Sequence, residues 1–185
     1  MANIKVSELT TATVFNDSDL AMIVQDGASK KITKSKILES LNDSITIGLS
    51  TDLSYTSSTR GKIPFDMEMA KVGTKLTFSD NGIVIGAGVN FIEVSATSLQ
   101  SASNADLCGV LITKNGTTLN NAVAVGFSYI TTPNQMHCIS LSPAIIPVSE
   151  GDVLYLVGYI NTPAVTVQLQ AYNGRANYLT AKVVS

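Results

Sequence analysis

The run Asp152 to Ile160, DVLYLVGYI, constrains the fold more than any other stretch of the chain. It follows Glu150-Gly151-Asp152, a turn signal, because glycine takes positive φ freely and aspartate caps its own backbone. As a strand it sends alternate side chains to opposite faces. Val153, Tyr155, Val157 and Tyr159 fall on one face, and Leu154, Leu156, Gly158 and Ile160 on the other. Both faces are apolar, whereas an antiparallel strand with one wet face alternates apolar and polar. The strand is therefore expected to be covered twice, by its own core and by a second layer. That layer is either another part of the same chain or another subunit. The downstream sequence shows no helix to do the covering, which favours a subunit. On that reading Tyr155, Val157 and Tyr159, joined by Phe127 and Tyr129 from an earlier strand, are the candidate contact residues. If the other face points outward, Leu154 and Leu156 take that role.

Composition agrees. Of 185 residues, 45% are apolar and only 14% charged, about half the usual charged share. A lone chain so poor in charge would expose much apolar surface, which favours a permanent oligomer. A net charge of −2 leaves no basic footprint for nucleic acid. No apolar run reaches the roughly 18 residues of a membrane-spanning helix. The opening MANIKVSEL lacks a signal-peptide core, so synthesis in a cytosol without export by the general route is expected. Cys108 and Cys138 form no framework and, lying in apolar strand-like runs, read as free buried thiols.

The first unit, 1–43, has a mixed pattern. Leu20 to Gln25 is a short apolar run, Ile32 lies among polar neighbours, and Asp26-Gly27 between them is a strong hairpin signal. Ile37, Leu38 and Leu41 then fall on one stripe of a helix over about 34–42, with Thr33 or Ser35 as cap. A hairpin plus a short helix is too small to be stable alone and must dock elsewhere. The pattern V-S-E-L-T-x-A-T-x-x-x-D-S-D-L-x-x-x-V-Q-D-G-x-x-K-K-I-T, Val6 to Thr33, resembles the N-terminal module of tailed-phage fibre and spike proteins. That resemblance implies a module attaching a distal domain to the particle, with Leu20, Ile23, Ile37 and Leu41 as candidate attachment residues and other virion proteins as partners. Ala21-Met22 departs mildly from the family's usual Leu-Pro or Leu-Leu.

Residues 44–60 are rich in serine and threonine and read as a linker, although Ile45, Ile47 and Leu49 alternate as in an extended piece. From Lys62 onward the chain reads as strands only, near 62–66, 74–79, 83–86, 89–99, 107–114, 122–131, 136–141, 152–161, 164–172 and 177–184. Turn signals separate them, Asp80-Asn81-Gly82 and Lys114-Asn115-Gly116 among them. Such spacing predicts a sandwich or barrel. Val123, Val125, Phe127 and Tyr129 alternate with Ala122, Ala124, Gly126 and Ser128, a small set that allows another layer to approach closely.

Lys62-Ile63-Pro64-Phe65-Asp66, then Phe78 to Ile85, then Gly88-Val89-Asn90-Phe91 leading into a long strand, resemble the first half of a complement-globular-head/tumour-necrosis-factor jelly roll. Ile112 to Gly116 resembles its central hairpin, Val148 to Leu156 its late turn and strand, and Tyr178 to Ala181 its closing strand; the family's Phe-x-Gly ending is absent. The resemblance implies a mainly β protein, a ten-strand antiparallel jelly-roll sandwich over 61–185 that assembles as a homotrimer.

Chemistry is sparse. The single histidine, His137, lies beside Cys138 on a strand and reads as structural. No ligands cluster for a metal, and the glycines near Gly82, Gly86 and Gly88 lack the helix a phosphate loop requires. No cofactor is expected. A polysaccharide depolymerase needs two carboxylates about 5–10 Å apart, and the acidic residues after Asp66 fall mostly at turns, so no enzymatic activity is expected. Carbohydrate sites favour exposed aromatics and loop amides; Tyr172, Asn173 and Arg175, with Asn134 and Gln135, are the candidate ligand-loop residues. The expected function is that of a virion structural protein, a trimeric tail fibre recognising the bacterial surface, with host-surface carbohydrate as a candidate partner. A head fibre or capsid decoration protein is the alternative.

Overall fold

The computed structural model describes residues 20–25, 28–33, 43–57, 60–162, 165–171 and 176–184. The chain divides into two units, Met1–Ser40 and Leu41–Ser185. In the first, β1 (Leu20–Gln25) and β2 (Ala28–Thr33) pair antiparallel, Leu20 opposite Thr33 and Gln25 opposite Ala28. That is the expected hairpin, and it places Leu20 and Ile23 on β1. The helix expected near 34–42, with Ile37 and Leu41, lies outside the described residues.

The second unit is a sandwich of two antiparallel sheets. One has six strands in the order β11 (Ala122–Ile130), β10 (Asp106–Lys114), β13 (Val153–Ile160), β8 (Gly82–Ile85) and β7 (Leu76–Ser79), with β5 (Arg60–Lys62) also paired to β13. The other has seven: β4 (Leu53–Ser57), β14 (Val165–Leu169), β9 (Phe91–Ala102), β15 (Tyr178–Val183), β3 (Ser44–Gly48) and β6 (Met67–Val72), with β12 (His137–Pro147) also paired to β9. Alternation sets which side chains enter the core. Ile45, Ile47, Ile92, Val94, Leu179 and Ala181 come from the seven-stranded sheet and meet Ile83, Ile85, Val110, Ile112, Leu154 and Leu156 from the other. The small set on β11 faces inward: a Cβ at Gly126 would lie 2.6 Å from Leu141 Cδ2, so the close approach expected there is real.

Turns do what their residues require. Asp80 (φ 49°) and Asn81 (φ 59°) are both left-handed, the pattern of a two-residue hairpin turn, here joining β7 to β8 with Ser79 opposite Gly82. Gly151 (φ 85°) makes the turn before β13. Pro143 has no N–H to donate and falls where β12 slips register against β9, between Leu141 and Ala144.

The tract 44–60 is not a linker. It holds β3, β4 and the start of β5, and β3 is an interior strand between β15 and β6. The alternation of Ile45, Ile47 and Leu49 is decisive, since all three are buried, while the serines and threonines between them read as flexible only because they are small and polar. Met67–Val72 is a strand without a sequence signal, and 63–66 is not a strand.

Because β3 and Leu49 just after it supply three core side chains, each stabilising by about 1.5–3 kcal/mol, their loss rivals the whole net stability of an ordinary domain, about 5–15 kcal/mol. A fragment 41–185 is expected to melt cooperatively, and a fragment 60–185 to lose cooperative melting; circular dichroism on the two distinguishes this from a self-sufficient 60–185 unit.

Candidate functional site

The outward face of the six-stranded sheet gathers two exposed aromatics, Phe127 and Tyr129, and the half-buried Tyr155 and Tyr159. On β11, Val125, Phe127 and Tyr129 point away from the core and are 51%, 48% and 60% exposed. The register places Phe127 opposite Gly109 of β10, and Gly109 opposite Tyr159 of β13. A Cβ at Gly109 would lie 2.3 Å from Phe127 Cδ1, so the ring occupies the space a side chain would take. It meets Tyr159 edge-to-face at 5.4 Å between centroids and 76° between planes, a favourable aromatic arrangement. The next row is Val125, Leu111 and Val157. Leu111 and Val157 also point outward, yet neither is exposed. On the other side of the Phe127 row, Tyr129 stands opposite Leu107, whose carbonyl accepts the Asn161 N–H at 3.1 Å. The Tyr159 hydroxyl donates to Asn161 Oδ1 at 3.2 Å.

All five contact candidates named from the sequence thus share one face. Tyr155 lies at its far end in a polar setting. Its hydroxyl donates to Asp80 Oδ2 at 3.3 Å, Lys62 Nζ sits 4.8 Å from its ring centroid, and Lys62 also donates to Asp80 Oδ2 at 3.2 Å. Burial, then the Asp80 carboxylate, pushes the Tyr155 hydroxyl pKa up against the opposing Lys62 charge, so it remains a donor. Of the loop candidates, Asn134 and Gln135 are exposed in the loop that leaves β11 just beyond Tyr129, and Asn134 holds a left-handed φ of 61° while its N–H donates to Ala102 O at 2.7 Å. Tyr172, Asn173 and Arg175 lie outside the described residues. Leu107, Gly109, Leu111 and Asn161 were not singled out in the sequence; only cross-strand register brings them to this face.

The outward face of the seven-stranded sheet is different. Ser140, Thr97 and Tyr178 form one row, and Ser95, Thr180 and Thr46 the next. Their hydroxyls satisfy one another: Thr46 and Thr180 at 3.0 Å, Thr97 and Ser140 at 3.3 Å, and Thr97 to Tyr178 at 3.1 Å. No charge enters these two rows, but the row beside them sets exposed Glu93 opposite exposed Lys182 and Ile145, with exposed Phe91 beyond it.

Elsewhere the chemistry is that of structure. His137 on β12 faces Gln100 of β9 across the ladder, and neither His137 Nε2 nor the two Gln100 amide atoms have a partner among the described residues. Among the described residues no three His, Cys, Asp or Glu are grouped to hold a metal. Cys108 is a buried free thiol as expected, but Cys138, expected buried, is exposed, because β12 lies on one side of β9 with that side chain turned out of the core. Burial, aided by Asp106, pushes the Cys108 thiol up to about 11. At the turn before β13, burial raises the Asp152 carboxyl, but hydrogen bonds from Asn115 and the Ser149 N–H, together with Lys114, outweigh it and hold its pKa below the ordinary 3.8.

No protein-family model matches the chain, and no curated protein matches it in sequence. Solved structures match its fold. Murine APRIL at pH 5.0 superposes with a TM-score of 0.58 at 8% identity, covering 77% of this chain and 99% of that one. Eiger TNF from S. frugiperda superposes with a TM-score of 0.58 at 8% identity, covering 78% of this chain and 92% of that one. The mainly β, TNF-like jelly-roll sandwich read from the sequence is the fold of this chain, with thirteen strands described in the second unit where ten were expected.

Two outcomes follow. In a Cys138→Ser variant the remaining thiol, Cys108, is expected to resist a thiol reagent at neutral pH in the native state and to react on unfolding; rapid native labelling would contradict its burial. The Asp152 carboxylate is depressed, so its contribution is complete above its ordinary value and is lost as pH falls through the folded one. The stability gap between wild type and Asp152→Asn is therefore expected to be full above about pH 5 and to narrow steadily as pH falls through and below the ordinary 3.8, as read by denaturant midpoints.

Proposed function

We propose that the protein is a homotrimeric, non-enzymatic attachment protein of a tailed-phage particle, its sandwich serving to recognise the bacterial surface and its N-terminal unit to join other virion proteins. The observation that carries the binding reading is the pair of sheet faces whose central rows hold no charge, the aromatic row across β11, β10 and β13 and the Ser/Thr rows across β9, β15 and β3, each suited to a partner rather than to water. The resemblance of Val6 to Thr33 to fibre modules supports the particle assignment. The TNF-like fold supports the trimer, since the resemblance noted above implies one.

The subunit contact is best assigned to the face of the seven-stranded sheet rather than to Tyr155 and Tyr159. The second apolar face of β13, which suggested a subunit contact, is already partly covered within the chain, with Val157 fully buried. By contrast, the Ser/Thr rows have hydroxyls that already bond one another, so covering them strands few polar groups. A face of this kind, with Glu93 and Lys182 confined to the flanking row beside Ile145, has the charge-depleted centre typical of stable interfaces.

Sedimentation of the wild type is expected to give three chains at micromolar concentration. Thr180→Glu would bury a carboxylate without a partner, at a cost of several kcal/mol, and is expected to weaken association by about 100-fold or more. Tyr159→Asp is expected to leave the trimer intact. A stable monomeric wild type would overturn the trimer, and dissociation by Tyr159→Asp alone would return the contact to the aromatic face. Antibody labelling of intact particles tests location: label on the tail supports the fibre reading, and label on the head replaces it with a head fibre or decoration protein.

A further inference from the structure

We infer that the aromatic face of the six-stranded sheet is a saccharide-binding subsite centred on Phe127 and Tyr129, with Tyr159, Leu107 and Asn161 as its walls. This rests on the reading of the sandwich as a recognition unit and names its ligand class. Phe127 and Tyr129 lie two residues apart on one strand face, about 7 Å along it, and both are close to half or more exposed. Gly109 leaves the space over which the Phe127 ring is seated, and Tyr159 meets that ring from the side. The result is a ring held in place rather than a loose side chain, so little conformational freedom is lost on binding.

The chemistry around the rings selects the occupant. Along β10, β11 and β13 the only charged residues are Asp106 and Lys114, at the two ends of β10. The Asp106 side chain is buried and taken up by the N–H groups of Leu107 and Thr162, and Lys114 is paired with Asp152. At the margin Lys62 is paired with Asp80, and Arg60 is the register partner of Tyr159. Apart from these marginal charges, the face offers ring surface beside neutral hydrogen-bonding groups, namely the tyrosine hydroxyls, the Asn161 amide and the exposed amides of Asn134 and Gln135 in the loop beyond Tyr129. A sugar presents the complement, a C–H face for the rings and a rim of hydroxyls for the amides. A second copy of the chain fits less well. The patch comprises the five side chains Val125, Phe127, Tyr129, Tyr155 and Tyr159, whereas a stable protein interface needs about 20–30 residues on each side.

The test uses the full-length protein on a printed panel of neutral and acidic bacterial surface oligosaccharides, followed by titration of the strongest binder using tyrosine fluorescence. The wild type is expected to bind. Phe127→Ala and Tyr129→Ala are each expected to weaken binding by about tenfold, as loss of an aromatic anchor does, while Ile145→Ser on the opposite sheet leaves it unchanged. Melting curves and sedimentation of the variants accompany the titration. Tyr129 is the more exposed ring, so its variant remains informative if Phe127→Ala does not fold. Binding by the wild type to no member of the panel, equal binding by Tyr129→Ala, or loss of the trimer in that variant would each overturn the subsite. Whole-cell binding separates this from the broader reading: cells bound equally by wild type and variants leave the recognition role standing and remove the subsite. Oligosaccharide binding at the patch without cell binding does the reverse.

Discussion

The sandwich depends on one long strand serving two partners along the same edge, and the Asn177 side chain makes that join. β9 pairs with β15 from Ile92 to Thr97 and with β14 from Gln100 to Ala102. Between them the ladder passes from one strand to another, and a buried gap would leave backbone groups unpaired at a cost of about 1–3 kcal/mol each. Asn177, fully buried, fills it. Its Oδ1 accepts the Ser98 hydroxyl at 2.6 Å and the Leu99 N–H at 3.2 Å, and its Nδ2 donates to the Gln170 carbonyl at 2.6 Å. The Leu99 N–H also reaches the Ala176 carbonyl, and the Gln170 N–H the Leu99 carbonyl. An amide side chain therefore acts as a piece of strand. With the join secured, β9 keeps the alternation that sends Ile92, Val94 and Ala96 inward and Ser95 and Thr97 outward.

That alternation explains which parts of the fold were legible in the sequence. β13 announced itself because both of its faces are apolar over eight residues. The hairpin turn at Asp80-Asn81 and the turn at Gly151 were legible because positive φ restricts which residues stand there. β6, MEMAKV, was not, because it sits at the sheet edge with an exposed pattern, and its conformation is imposed by pairing with β3. Edge strands carry little hydrophobic signal and often carry charge, here Glu68 and Lys71.

The tract 44–60 failed for a more instructive reason. Serine and threonine read as flexible when they are taken to face water on all sides. Here Thr46 faces Thr180 across the ladder and bonds to it. The composition that suggested a linker is the same composition that helps give the seven-stranded sheet uncharged central rows on its outer face. Whether such residues mark a loose segment or a dry surface depends on partners far along the chain, and local sequence does not carry that information. The aromatic face divides in the same way. Its rings were visible from alternation on β11 and β13, whereas Gly109 and Asn161 acquire meaning only from the register that sets them beside Phe127, Tyr129 and Tyr159.

Charge is scarce in this chain, and its placement follows from the two faces. Three ion pairs lie at turns or beside them: Lys62 with Asp80, Lys114 with Asp152, and Lys75 with Asp43. The Lys62–Asp80 pair, whose carboxylate is exposed, contributes little energy on its own. The other two carboxylates do more through backbone and amide hydrogen bonds: Asp43 takes the N–H groups of Thr74 and Lys75, and Asp152 takes that of Ser149. Gly73 is required there, since a Cβ would fall 1.7 Å from Asp43 Oδ1. Charge spent on closing turns leaves the central rows of both sheet faces neutral. A lysine or glutamate set among the Ser/Thr rows or the rings would keep those surfaces wet and raise the desolvation cost of any partner. The low charge content and the neutral central rows of the two faces are therefore one property of the sequence, seen first as composition and then as surface.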